Sequence, residues 1–126
     1  MAVKYTVSER GNPLQPQQPK KWYANAKSTG NATLRMLGKE VAQRSTVSPA
    51  DTQAVLVALT EVLVEHLAEG QIVRFGDFGS FQVSIGSEGA ETAAKFNASM
   101  IKSQKVVFRP GIDIKEMLNN LKFEKF

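Results

Sequence analysis

The sequence of 126 residues predicts an α+β fold. Apolar side chains at three- and four-residue spacing run from Val55 to Leu67 behind a strong helix start, Ser48-Pro49-Ala50-Asp51. Strand-like residues punctuated by glycine follow in Gly70-Gln71-Ile72-Val73-Arg74-Phe75-Gly76-Asp77-Phe78-Gly79-Ser80-Phe81. A second phenylalanine turn stands at Phe108-Arg109-Pro110-Gly111. Aromatics three apart with glycine between them suit a tight, packed β-turn rather than a catalytic loop.

From the N-terminus, Val3, Tyr5 and Val7 alternate with polar residues, the period of a half-buried strand. Gly11-Asn12-Pro13 then opens a segment with Pro13, Pro16 and Pro19, too many prolines for a ladder or helix, so an extended connector is expected. Lys21-Trp22-Tyr23-Ala24-Asn25-Ala26 predicts a second short strand, and Ser28-Thr29-Gly30-Asn31 breaks it. Thr33 is placed to cap a helix over 34–44, with Leu34, Leu37 and Val41 on one face and Arg35, Lys39 and Glu40 on the other. The next helix runs from Pro49 to about Ala68 and stops at Gly70. Its apolar band, widened by Val57 and Val64, exceeds one face and suits contact with both its own core and a partner subunit.

Residues 71–85 predict two strands joined at Gly76-Asp77-Phe78-Gly79, with Ile72, Phe75, Phe78, Phe81, Val83 and Ile85 expected to be buried. Gly86-Ser87-Glu88-Gly89 has the composition of a turn or flexible tip, and Thr92–Met100 of a short helical turn. Lys105–Phe108 is a strand ended by Pro110-Gly111. Ile112, Ile114, Met117, Leu118 and Leu121 then predict a last amphipathic helix ending near Asn120.

Sixteen Lys and Arg against twelve Asp and Glu give +4, with a pI near 9.5, which favours anionic partners. Residues 1–30 hold five basic and one acidic side chain, residues 31–70 three and five, and residues 71–126 eight and six. Any anion-binding surface is therefore expected toward the ends of the chain. The absence of cysteine excludes disulfides, thiolate metal sites and a cysteine nucleophile. With neither a signal-peptide core nor a long apolar run, a cytoplasmic protein with no membrane partner is expected.

Catalysis has little to stand on. His66 is the single histidine, on a helix face, and no second one completes a site; Glu61, Glu65 and Glu69 lie four apart, as on a solvated face. No cofactor, metal or small-molecule substrate is expected. The stretch from Thr92 to Ile112, in contrast, contains Lys95, Lys102, Lys105 and Arg109 and no acid. Standing on one sheet face, such cations would contact successive phosphates, with binding that weakens as salt rises. Arg35, Lys39 and Lys20-Lys21-Trp22-Tyr23 form another basic and aromatic group.

The order of parts resembles the bacterial histone-like HU family of DNA-bending proteins. The resemblance rests on Ser48-Pro49-Ala50-Asp51, Gly70 with Ile72-Val73, Asp77-Phe78-Gly79-Ser80-Phe81, and Phe108-Arg109-Pro110-Gly111 with Ile114-Lys115, and it covers residues 32–121. The first 30 residues look similar to the longer HU-related proteins of the Bacteroides group. The resemblance implies an intertwined homodimer with two N-terminal helices, a three-stranded β saddle bearing an arm, and a short C-terminal helix. It implies an HU-like domain over 32–126, preceded by a β-rich extension over 1–31. It further implies nonspecific, nucleoid-associated binding of double-stranded DNA, with Phe78, Phe81 and Phe108 in the dimer core. The expected DNA contacts are Arg74, Lys95, Lys102, Lys105, Arg109 and Lys115. Where the family has an arginine-rich strand and an Arg-Asn-Pro tip, this chain has Val83-Ser84-Ile85-Gly86-Ser87-Glu88-Gly89-Ala90-Glu91. Acids there would repel phosphate, and they favour the alternative of a structural or protein-interaction module on the same frame.

Overall fold

The computed structural model describes residues 1–126. The elements in chain order are β1 (Val3–Arg10), β2 (Lys21–Lys27), α1 (Leu34–Gln43), α2 (Pro49–Ala68), β3 (Val73–Phe75) and β4 (Gly79–Ser87). Two single 3₁₀ turns, Ala93–Lys95 and Ala98–Met100, lead into β5 (Ile101–Pro110), α3 (Ile112–Asn119) and β6 (Phe123–Lys125). The chain divides into two units, one of residues 1–33 with 117–126 and the other of residues 34–116.

The first unit is a three-stranded sheet in the order β2-β1-β6. The β1–β2 hairpin is in register from Lys4↔Lys27 to Arg10↔Lys21. Its proline-rich connector is folded rather than extended. The Asn12 side chain accepts from the Leu14 N–H at 3.0 Å, its carbonyl accepts from Gln15 at 3.1 Å, and the Gln15 carbonyl accepts from Gln18. This is the local side-chain turn that asparagine offers a backbone. The third strand, β6, lies where the sequence predicted none, parallel to β1 with Val3↔Phe123 and Tyr5↔Lys125. Three residues reading Phe-Glu-Lys carry too little pattern to announce a strand; the free edge of β1 makes them one.

In the second unit α2 starts as its cap predicts: the Ser48 hydroxyl accepts from the Asp51 N–H at 3.2 Å, with Pro49 in the first turn. It ends at Gly70 (φ +83), where the N–H of Gly70 donates to Leu67 and that of Gln71 to His66. Those two bonds are the Schellman pattern, which consumes carbonyls the helix end would otherwise leave bare. α1 crosses α2 closely at Gly38, the one buried residue of α1, and Gln53 Nε2 donates to the Arg35 carbonyl at 3.0 Å beside it. A side chain at position 38 would run into Gln53 and sit 3.3 Å from Leu56, so the cost of a mid-helix glycine, about 1 kcal/mol, is offset by the approach it permits.

The second sheet has the order β3-β4-β5, antiparallel throughout. Its long ladder runs from Gly79↔Pro110 to Ser87↔Ile101, so Gly86 and Ser87 extend the strand instead of turning it. Pairing with Ser103 and Ile101 overrides the turn preference of Gly-Ser. A register shift between Gly86 and Ser87 leaves Lys102 as the unpaired residue of a bulge.

No apolar side chain of the single chain is buried. Phe75, Phe78, Val83 and Ile85, all expected inside, are exposed, and so is Ile72; on α2, Val55 is 62% and Val64 65% exposed. The spacing that predicts burial is present, yet these side chains stay open to solvent.

The close approach of β4 to the end of β5 gives a direct test. Gly79 has φ +154, and a Cβ there would lie 2.5 Å from the Arg109 carbonyl and 2.6 Å from the Phe108 ring. Gly79→Ala is expected to destabilise the fold by about 2–3 kcal/mol, read as a lower urea midpoint with an unchanged slope.

Candidate nucleic-acid interface

The β3-β4-β5 sheet is organised by its turn. Gly76, at φ +56, lets the chain reverse so that the Phe78 N–H donates to the Phe75 carbonyl at 3.2 Å. The turn then receives the far end of β5, where the Gly111 N–H donates to the Phe78 carbonyl at 2.9 Å and the Asp113 N–H to that of Asp77 at 3.1 Å. Around it the rings pack in a chain, Phe75 to Phe78 at 5.9 Å, Phe78 to Phe108 at 5.5 Å and Phe108 to Phe81 at 5.0 Å between centroids. Edge and tilted geometries of this kind suit the charge distribution of aromatic faces and rims.

Strand alternation then sorts the side chains. Val73, Phe81 and Phe108 share a face, followed outward by the pair Val83↔Val106. The opposite face carries Arg74, Ser80 and Arg109 as one row across the three strands, then Gln82↔Val107, then Ser84↔Lys105. Arg74 and Arg109, two strand spacings apart, stand roughly 10 Å from each other, and Lys105 lies roughly 13 Å along β5 from Arg109. No acid occurs in any of these strands, and none of the three cations is held in an ion pair. The polar face is thus a patch of unneutralised charge interleaved with hydroxyl and amide groups.

The structure brings together only part of the expected set. Of Lys95, Lys102, Lys105 and Arg109, expected on one sheet face, Lys105 and Arg109 share the polar face, where Arg74 joins them. Lys102 sits at the bulge, where alternation is broken. Lys95 is off the sheet, in the first 3₁₀ turn, and its ammonium is 3.1 Å from the Glu91 carboxylate. Both partners are well exposed, so this pair contributes little to stability, but it neutralises the cation. Lys115 projects from α3. Ser80, Gln82 and Ser84 stand on the same face as Arg74, Lys105 and Arg109. Their signal was present in the sequence, as the polar half of the alternation with Phe81, Val83 and Ile85.

The tip of the β4–β5 arm, residues 88–100, is held by local bonds. The Glu88 N–H donates to the Met100 carbonyl at 2.9 Å, the Thr92 hydroxyl accepts from the Lys95 N–H at 3.3 Å, and Asn97 Oδ1 accepts from the Ser99 N–H at 3.1 Å. Such side-chain caps give a short segment a defined path without a ladder.

Comparison with known proteins sets this geometry in a family. A family model described as an HU domain fused to wHTH, Ig, or a glycine-rich motif matches residues 1–125. A solved structure of a candidate bacterial DNA-binding protein from Bacteroides vulgatus has a similar fold, with a TM-score of 0.66 at 14% identity. The match covers 99% of this chain, which spans 48% of the length of that one. No curated protein matches the chain.

Proposed function

The chain belongs to the family of HU domains fused to wHTH, Ig, or glycine-rich motifs, and from that premise we propose that it is a non-enzymatic, largely sequence-nonspecific DNA-binding protein. In this reading it is a histone-like, nucleoid-associated protein of the cytoplasm that condenses double-stranded DNA. Residues 32–126 are its HU-like DNA-binding domain and residues 1–31 an extension. The polar face of β3-β4-β5 is the saddle that meets the duplex, with Arg74, Lys105 and Arg109 on phosphates and Ser80, Gln82 and Ser84 as uncharged donors between them. Lys95, Lys102 and Lys115 are flanking contacts. The observation that carries the reading is the two-sidedness of this sheet: an aromatic face that seeks protein backs an acid-free face whose cations have no internal partner.

The protein acts as an intertwined homodimer. The exposed apolar residues of α2, with Phe75, Phe78 and Phe108, are the surface that a second copy would cover. A second reading, a protein-interaction module with a remodelled arm, is favoured by one observation: Glu88 and Glu91 stand at the tip, where Glu91 takes up the charge of Lys95.

Titration of the protein with random duplex DNA at about 50 and about 200 mM salt decides between them. The six saddle contacts of a dimer, three per chain, are by themselves expected to lower affinity roughly a thousandfold across that range, and absence of binding at the lower salt would remove the DNA reading. Arg74→Gln, Lys105→Gln and Arg109→Gln together are expected to weaken binding uniformly across sequences and to flatten the salt slope by about one for each cation removed from the interface. For the dimer, sedimentation is expected to return twice the chain mass, and the melting temperature to rise with protein concentration. Val62→Asp, on the exposed apolar surface of α2, is expected to abolish both by burying a carboxylate without a partner.

A further inference from the structure

The charge of the chain is not where the saddle is. The unit of residues 1–33 and 117–126 holds seven Lys and Arg against two Asp and Glu, or +5, whereas residues 34–116 hold nine against ten, or −1. The smaller unit therefore carries the whole positive excess.

Within its sheet the cations are concentrated on one side. The register places Val3, Tyr5, Val7 and Glu9 of β1 on one face with Trp22, Ala24 and Ala26 of β2 and Phe123 and Lys125 of β6, a mainly apolar face with one cation and one acid. The opposite face presents Lys4 and Arg10 on β1, Lys21 and Lys27 on β2, and Glu124 on β6. Thr6, Ser8, Tyr23 and Asn25 fill the space between the basic ends. On this face Arg10, Lys21 and Lys27 are exposed to solvent.

Two of the seven register pairs in this hairpin, Lys4↔Lys27 and Arg10↔Lys21, set like charges directly opposite each other. Like charges in that position destabilise a sheet. At the first pair the chain compensates: Lys4 lies 2.7 Å from the Glu124 carboxylate, and the Lys27 ammonium stands 5.4 Å from the centre of the Phe126 ring. At the second pair no carboxylate answers. Arg10 donates to Asn25 Oδ1, which is neutral, and Asn25 in turn donates to Ser8 at 2.8 Å, so the guanidinium is oriented but keeps its charge.

From this we propose that the basic face of β2-β1-β6 is a second contact surface for the phosphate backbone of duplex DNA, with Arg10, Lys21 and Lys27 as its principal cations. The two basic rows are six residues apart along the strands, roughly 20 Å, the axial length of about six base pairs of duplex. Hydroxyl and amide groups between the rows are of the types that accompany Lys and Arg on phosphates. Tyr23, 48% exposed, adds a phenolic donor at the middle. A lipid surface fits less well, because Trp22 and Phe123, the side chains that would enter it, are on the other face.

The test compares full-length variants for duplex binding across a salt series. Arg10→Gln with Lys21→Gln removes the unanswered pair without touching the Lys27 contact to Phe126, and the hairpin is expected to melt no lower than before because a like-charge pair is relieved. The slope of log affinity on log salt is expected to fall by about two per chain, and by about three when Lys27→Gln is added. The saddle variant with Arg74, Lys105 and Arg109 neutralised is expected to keep residual, salt-dependent binding through this second surface. An unchanged slope in folded Arg10/Lys21 variants would overturn the proposal, as would loss of all binding in the saddle variant. An unaffected saddle variant would instead count against the saddle reading and leave this surface as the main one.

Discussion

The meeting of Pro110-Gly111 with the Gly76–Gly79 turn is the constraint on which the second unit depends. Neither Gly79 nor Gly111 has room for a side chain: one faces the Arg109 carbonyl and the Phe108 ring, the other the Asp77 carbonyl. Because the backbones close to that distance, the Gly111 and Asp113 N–H groups reach the carbonyls of Phe78 and Asp77. The turn, the end of β5 and the start of α3 become one knot, and the rings of Phe75, Phe78, Phe81 and Phe108 close over it. The register of β4 against β5 follows from this anchor, and with it the face on which every later side chain of the arm falls.

That single register explains how an apolar surface and a charged one coexist on strands of ten residues or fewer. Each phenylalanine or valine directed to one side sends its neighbour to the other, so the residues that build the core face also decide where Ser80, Arg109 and Lys105 stand. The placing of the cations is here a by-product of a packing solution. The same economy recurs in the terminal sheet, whose alternation separates Val3 and Tyr5 from Lys4 and Thr6.

What the sequence disclosed was mainly local. Ser48 and Pro49 announce the start of α2 and Gly70 its end because caps act within four residues, and the phenylalanine-glycine turn declares itself for the same reason. Where the structure departs from the local pattern, distant partners are the cause. Gly86 and Ser87 look like a turn until Ser103 and Ile101 pair with them, and Lys102 looks like a member of a basic row until the bulge removes it. β6 exists only because β1 offers an edge. Gly38 gives no sign in the sequence that it is the point at which two helices touch. Of the six cations expected to act together, the three on alternate positions of the paired strands are joined, and the others fall outside because their neighbours break the ladder or lie off it.

The pairing of β1 with β6 has a consequence in time. Val3 and Phe123 are neighbours in the sheet but about 120 residues apart in the chain, so during synthesis the hairpin emerges long before the strand that completes it. Until then one edge of β1 and an apolar sheet face stand open, the condition in which nascent strands seek wrong partners. The like charges crowded onto the hairpin, a cost within the sheet, would also repel a second copy approaching that open edge.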